Sequence, residues 1–161
     1  MAISKRIIVQ RIIEQLTEQL STLAGASRAM HADASDEQNK AEDKYDTRAL
    51  ETAYLASSQA RLATETEQAL ALYHNLELQK FGEGDPINVT ALVELEANGA
   101  RTVYFLGPRA GGMEINHRGS EVLVITTESP LGQQLLGKKL GDRLKLQTRG
   151  PSQEFRVISV S

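Results

Sequence analysis

The stretch Ser129-Pro130-Leu131-Gly132-Gln133-Gln134-Leu135-Leu136-Gly137-Lys138-Lys139-Leu140-Gly141-Asp142 is a run of local signals that agree with one another. Ser129 suits a helix N-cap, where its hydroxyl accepts from a free backbone N–H. Pro130 suits the first helical position, where no N–H is needed. Leu131, Leu135 and Leu136 recur at helical spacing and leave the segment one apolar face. Gly137 supplies the left-handed stop common at helix C-termini. Gly141-Asp142 then turns the chain into Arg143-Leu144-Lys145-Leu146-Gln147. The segment reads as a short capped helix followed by a turn into a strand.

Around it the chain has the grammar of strands: Asn88 to Leu95, Arg101 to Leu106, Glu121 to Thr127, Asp142 to Thr148 and Glu154 to Val160. Glu96-Ala97-Asn98-Gly99 and Arg149-Gly150-Pro151-Ser152 are turn signals that make their flanking strands hairpin partners. Val122-Leu123-Val124-Ile125 is apolar on both faces, as a central strand would be. The helix at Pro130 covers one face of the sheet. Residues 87–161 thus form a small α+β domain.

Before Phe81-Gly82-Glu83-Gly84-Asp85-Pro86 the grammar is helical. No proline and a single glycine, Gly25, occur between Ser4 and Lys80. Val9, Ile13, Leu16, Leu20 and Leu23 alternate steps of four and three, a coiled-coil seam. Leu55, Leu62, Ala69 and Leu76 repeat every seven residues, with Leu72 and Tyr73 reinforcing the end. Two seams joined by a polar stretch predict an antiparallel helical hairpin over residues 1–80. Its bend falls near 33–46, which holds Asp33, Asp36, Glu37, Glu42, Asp43 and Asp46 against only Lys40 and Lys44. Residues 81–86 read as the linker between the two domains.

The wording S-P-L-G-x-x-L-L-G-K-x-x-G-D resembles the C-terminal domain of the Gre transcript-cleavage factors, a family of bacterial elongation factors. The resemblance implies an α+β chain: an N-terminal antiparallel coiled-coil hairpin, then an FKBP-like antiparallel sheet with one short helix. It also implies RNA polymerase as the partner. In that family the globular domain docks on the rim of the polymerase secondary channel and the hairpin enters it. Acidic tip residues then help hold magnesium, so that the polymerase cuts backtracked nascent RNA with its own site. This makes the protein an accessory factor rather than an enzyme, with no cofactor of its own.

Carried over residue by residue, the family tip D-x-x-E-N followed by A-E-Y falls on Asn39 to Tyr45, allowing a one-residue gap. Glu42 matches the second acid, Asp43 stands for the Asn, and Asn39 replaces the first acid. Glu42 and Asp43 are therefore the tip candidates, with Asp36, Glu37 and Asp46 as alternates, and any shared magnesium would be held through Glu42. An amide is a poorer magnesium ligand than a carboxylate. Cleavage, inhibition and relief of pausing all stay open at this point. Ser129, Pro130, Lys138, Lys139 and Arg143 are the candidate docking residues. Their positive charge, with Lys145 and Arg149, suits either a docking surface or an ordinary solvated strand face.

Composition narrows the alternatives. Of 161 residues only 4% are aromatic, there is no Trp or Cys, and the net charge is −3. Disulfides and thiolate metal sites are excluded, and general electrostatic attraction to nucleic acid is disfavoured. No apolar run approaches the roughly 20 residues of a membrane span, so the cytoplasm is expected. His31, His74 and His117 show no ligand spacing. Gly107-Pro108-Arg109-Ala110-Gly111-Gly112 lacks the Lys-Ser/Thr of a phosphate cradle and reads as a mobile loop. A peptidyl-prolyl isomerase would have only Tyr104, Phe105 and Phe155 to line its site. A structural or chaperone-like coiled coil is the remaining alternative, and it predicts no affinity for polymerase.

Overall fold

The computed structural model describes residues 3–38, 47–146 and 150–161, without the side chains of 27–38, 47 and 48. Two helices lead: α1 spans Lys5–Gln38 (34 residues) and α2 spans Thr47–His74 (28 residues). Among the described side chains of α1 the buried ones are Ile8, Ile12 and Leu16. Leu16 belongs to the expected seam, whereas Ile8 and Ile12 each precede by one residue the expected Val9 and Ile13, which are only half-buried.

On α2 the expected leucine seam is corrected. Leu55 and Leu62 are each 49% exposed, and Leu76 lies beyond the helix end. Of the expected heptad only Ala69 is buried within the helix. The shielded face is instead Thr52, Ala56, Gln59, Ala63, Thr66, Leu70 and Tyr73, a regular four-three alternation whose first five members are small or polar. Small residues permit close helix approach. Thr66 turns inward without an orphaned donor because its hydroxyl donates to the Leu62 carbonyl at 2.8 Å. The helix also stops at His74 rather than running to Lys80. Beyond it the backbone is engaged elsewhere: the Gln79 N–H donates to Thr90 Oγ1 at 3.0 Å.

Six strands follow: β1 Leu92–Ala97, β2 Ala100–Leu106, β3 Glu114–His117, β4 Ser120–Ile125, β5 Arg143–Leu146 and β6 Gln153–Val160. Helix α3, Pro130–Leu135, lies between β4 and β5 in the chain. The sheet order is β3-β4-β2-β1-β6-β5. It is three hairpins laid side by side. β1–β2 turns through Asn98-Gly99 and β3–β4 through Arg118-Gly119, all four residues at positive φ, the left-handed pair that two-residue hairpins favour.

The sheet is antiparallel, as expected, in four of its five ladders, and mixed because β2 and β4 pair in parallel. The cause is β3, which sequence patterning misses. β4 enters as the second arm of a hairpin and so runs alongside β2 in the same direction. β1 begins at Leu92 rather than Asn88, since Thr90 is buried with φ 79°, a left-handed kink that no strand continues through.

One sheet face, with Val93, Leu95, Leu106, Ile125, Leu144 and Val157, packs with Ile87 and with Leu135 of α3. The other carries Phe105, Ile115, Val122 and Val124, all fully buried. The ends of the two long helices belong with this sheet. One compact unit comprises Met1–Ile12 and Leu72–Ser161, the other Ile13–Ala71. Within the first, Ile8, Ile12 and Tyr73 are at most 1% exposed. Burial of side chains this size is worth roughly 1.5–3 kcal/mol each.

Candidate functional site

The motif around α3 builds a tightly closed corner. Ser129 is the N-cap: its Oγ accepts from the Gly132 N–H at 3.1 Å and its hydroxyl donates to the Thr126 carbonyl at 2.8 Å. Pro130 takes the first helical position. At the far end Gly137 adopts φ 81°, and its N–H donates to the Ile87 carbonyl at 2.9 Å. The Ile87 N–H returns a bond to the Lys138 carbonyl at 2.8 Å. Asp142 Oδ2 accepts from the Lys139 N–H at 2.8 Å, closing the turn in which Gly141 has φ 90°. Each residue of the S-P-L-G…G-K-K-L-G-D wording that is fixed in place thus answers a backbone group.

Among the candidate docking residues, Ser129 spends its hydroxyl inside the corner and acts by shaping it. Pro130, Lys139 and Arg143 are exposed, and Lys138 is half-buried. Arg143 pairs with Glu154 at 3.6 Å across β5–β6, an exposed pair of small energetic weight. Leu136 and Leu140, 40% and 39% exposed, sit among these cations. The corner therefore presents apolar and positive groups together. Ser129→Ala is expected to lose about 1 kcal/mol of stability, the usual effect of an N-cap, read by chemical denaturation followed by circular dichroism.

The tip candidates Glu42, Asp43 and Asp46, with Asn39, lie outside the described residues. Asp36 and Glu37 fall in the backbone of α1, and their side chains are likewise outside the description. Among the described residues no group of three or more His, Asp or Glu side chains could hold a metal ion. No helix among them is long and apolar enough to cross a membrane.

A contact that sequence patterning gives no sign of lies where α2 meets the sheet. The Tyr73 hydroxyl donates to the Arg109 carbonyl at 2.5 Å. Burial pushes the Tyr73 phenol well above its usual pKa, against the opposing effect of that hydrogen bond, so it stays a neutral donor. The loop expected to be mobile, Gly107 to Gly112, is anchored at both ends: Gly107 N–H donates to the Ile125 carbonyl and Gly112 N–H to the Val124 carbonyl, each at 2.8 Å. Gly107 is required by the tyrosine, since a Cβ there would stand 2.2 Å from the Tyr73 oxygen. Nearby, the Lys5 amine donates to the Gln79 carbonyl and lies 5.1 Å from the centre of the Phe81 ring. Burial lowers the Lys5 pKa. Phe105, one of the three aromatics an isomerase site would need, is 0% exposed.

The fold and corner define a class. Residues 83–161 match the family described as transcription elongation factor, GreA/GreB, C-term, and this domain belongs to that family. It is similar to the transcription inhibitor protein Gfh1 of Thermus aquaticus, 28% identical over 154 residues, covering 94% of this chain and 90% of that protein. It is also similar to the transcription elongation factor GreA of Syntrophus aciditrophicus, 30% identical over 98 residues, covering 60% of this chain and 56% of that one. The crystal structure of Thermus aquaticus Gfh1 is 26% identical and covers 94% of this chain and 92% of its own, with a TM-score of 0.41.

Proposed function

We propose that this chain binds bacterial RNA polymerase in the cytoplasm, enters the secondary channel with the α1–α2 hairpin, and slows elongation rather than stimulating cleavage. The observation that supports the inhibitory reading best is similarity along nearly the whole chain to proteins named transcription inhibitors. The GreA similarity covers only 60% of the chain. Asn39 adds to it, an amide where the family's cleavage tip carries an acid. Glu42 and Asp43 stand midway in the segment joining α1 to α2 and are the residues placed in the polymerase active centre, close to nascent RNA; Asp36, Glu37 and Asp46 are the alternates. The α3 corner, with Pro130, Lys138, Lys139 and Arg143 held in place by the Ser129 cap, is the docking surface.

Cleavage stimulation is the second reading, favoured by Glu42 at the position of the family's second acid. In that case magnesium is shared with the polymerase through Glu42 and the hydrolysis is the polymerase's own. Backtracked elongation complexes with magnesium separate the two. Under the proposal RNA length stays constant while extension slows, and Glu42→Ala or Asp43→Ala weakens that inhibition at least about tenfold, as loss of a charge buried in a partner's site does. RNA shortened by the wild type and not by Glu42→Ala would install the cleavage reading instead. A chain with no affinity for polymerase would leave the coiled-coil interaction protein. Docking is better tested by Lys139→Glu with Arg143→Glu than by deleting residues 81–161. The deletion would strip the sheet from Met1–Ile12, which shares its compact unit.

A further inference from the structure

The face of α2 opposite its shielded one carries a second regular pattern. Leu50, Tyr54, Ser57, Arg61, Glu65, Gln68 and Leu72 recur at steps of four and three along the helix, and all are exposed. Leu50 and Tyr54 are 73% and 72% exposed, and Leu72, more than half shielded, is still 43% exposed. Scattered single leucines on a surface need no explanation, but a row at coiled-coil spacing does. Its layout is symmetric. Leu50 and Leu72 end the row at equal distances from Arg61, which sits at the centre.

We infer that this face is a self-association surface, on which α2 of a second copy lies antiparallel about a two-fold axis at Arg61. In that register Leu50 faces the second copy's Leu72, and Tyr54 faces its Gln68. The two Arg61 side chains meet near the axis, flanked by the two Glu65 carboxylates. Each Arg61 is one helical turn, about 6 Å along the axis, from the other copy's Glu65, within reach of a side chain that long. A two-fold contact must present complementary groups on one and the same patch. This row does: apolar ends meet apolar ends, and a base meets an acid at the middle. A parallel, in-register pairing has the same Arg61–Glu65 reach but also sets Glu65 against Glu65, whereas the antiparallel register holds the two Glu65 carboxylates about 12 Å apart along the axis. The charge order thus selects the antiparallel arrangement. Within one helix, base before acid is the poorer orientation for an i,i+4 pair, which leaves both groups available to a second copy.

The inference is independent of the polymerase reading, and its test contains no polymerase. Sedimentation equilibrium on the full chain should show a reversible monomer–dimer equilibrium over the micromolar range. Arg61→Glu places four carboxylates at the axis and Glu65→Arg places four guanidinium groups there, so each single variant should weaken dimerisation at least about tenfold. The double variant Arg61→Glu/Glu65→Arg restores the exchange and should recover dimerisation. Both positions are exposed, and circular dichroism confirms that each variant keeps its helices. A wild type monomeric throughout that range overturns the inference. So do single reversals that leave the dimer intact, or a double variant no better than the singles, which would assign the row to a partner of another kind.

Discussion

Gly132→Ala is expected to disrupt the α3 corner and lower stability by about 3 kcal/mol or more. Helix propensity alone favours the change, since alanine exceeds glycine by up to about 1 kcal/mol inside a helix. The space decides against it. A Cβ at Gly132 would stand 1.8 Å from the Thr126 carbonyl oxygen and 2.8 Å from its carbon, with Ser129 Oγ at 2.9 Å. The first two are backbone atoms at the end of β4, so neither can swing aside as a side chain would. Moving them opens the Ser129 cap as well. Gly25→Ala is the control: that Cβ meets nothing within 4 Å and lies inside α1, so stability should hold or rise slightly. Thermal melting by circular dichroism compares the two. A Gly132 variant that melts with the wild type would mean the corner is far more yielding than its contacts indicate.

Tyr73→Ala should destabilise by about 3–5 kcal/mol, the range for deleting a large buried aromatic. The side chain is 1% exposed and fixed to the Arg109 carbonyl. Gly107→Ala strikes the same contact from the other side and should lower stability by about 1–3 kcal/mol, as overpacking does. The sharper result is their coupling. Phenylalanine at 73 removes the oxygen that a Cβ at 107 would overlap at 2.2 Å and leaves the ring carbon at 3.3 Å. Tyr73→Phe combined with Gly107→Ala should therefore lose less than the two single variants add up to, in denaturation measurements on all three. Strict additivity would show that the close approach does not govern this glycine.

How much of this was legible in the residues differs from element to element. The capping and turn signals of the α3 corner, Ser129, Pro130, Gly137 and Gly141-Asp142, were readable because they act through local backbone chemistry, whereas its bonds to Ile87 and the close approach of Gly132 to Thr126 were not. The β1–β2 hairpin announced itself by Asn98-Gly99. β3 did not: its turn is Arg118-Gly119, and arginine at φ 49° is not a residue from which a left-handed turn is expected. Missing that turn concealed the parallel β2–β4 pair. The second helix misled for a different reason. Leu55 and Leu62 make a heptad by size, while the shielded face runs through Thr52, Ala56, Gln59, Ala63 and Thr66 at equally regular spacing, and spacing alone cannot rank two rows on one helix. Tyr73 falls on a periodic row, but its bond to a loop 36 residues away in the chain leaves no trace in that pattern. Of the docking candidates, the motif's residues are placed as one corner. The tip acids rest on the chain pattern and on the family.

The three-hairpin construction of the sheet has a consequence for how the chain reaches its native state. β1–β2 and β3–β4 each close over two residues, so their ladders can assemble early at little entropic expense. The ladders between hairpins are another matter. β2 meets β4 only after the intervening strand has been laid down, and β1 meets β6 across most of the domain's sequence. These non-local ladders carry the large loop-closure terms, and topologies of that kind fold slowly for their length. The rate-limiting event is then the docking of preformed ribbons, with β1–β6 the seam that joins the first ribbon to the last. Side chains on that seam, Leu95 and Val157 among them, should change the refolding rate, and so should those at the Asn98-Gly99 bend, which is formed before the docking; contacts made only after it should act mainly on unfolding.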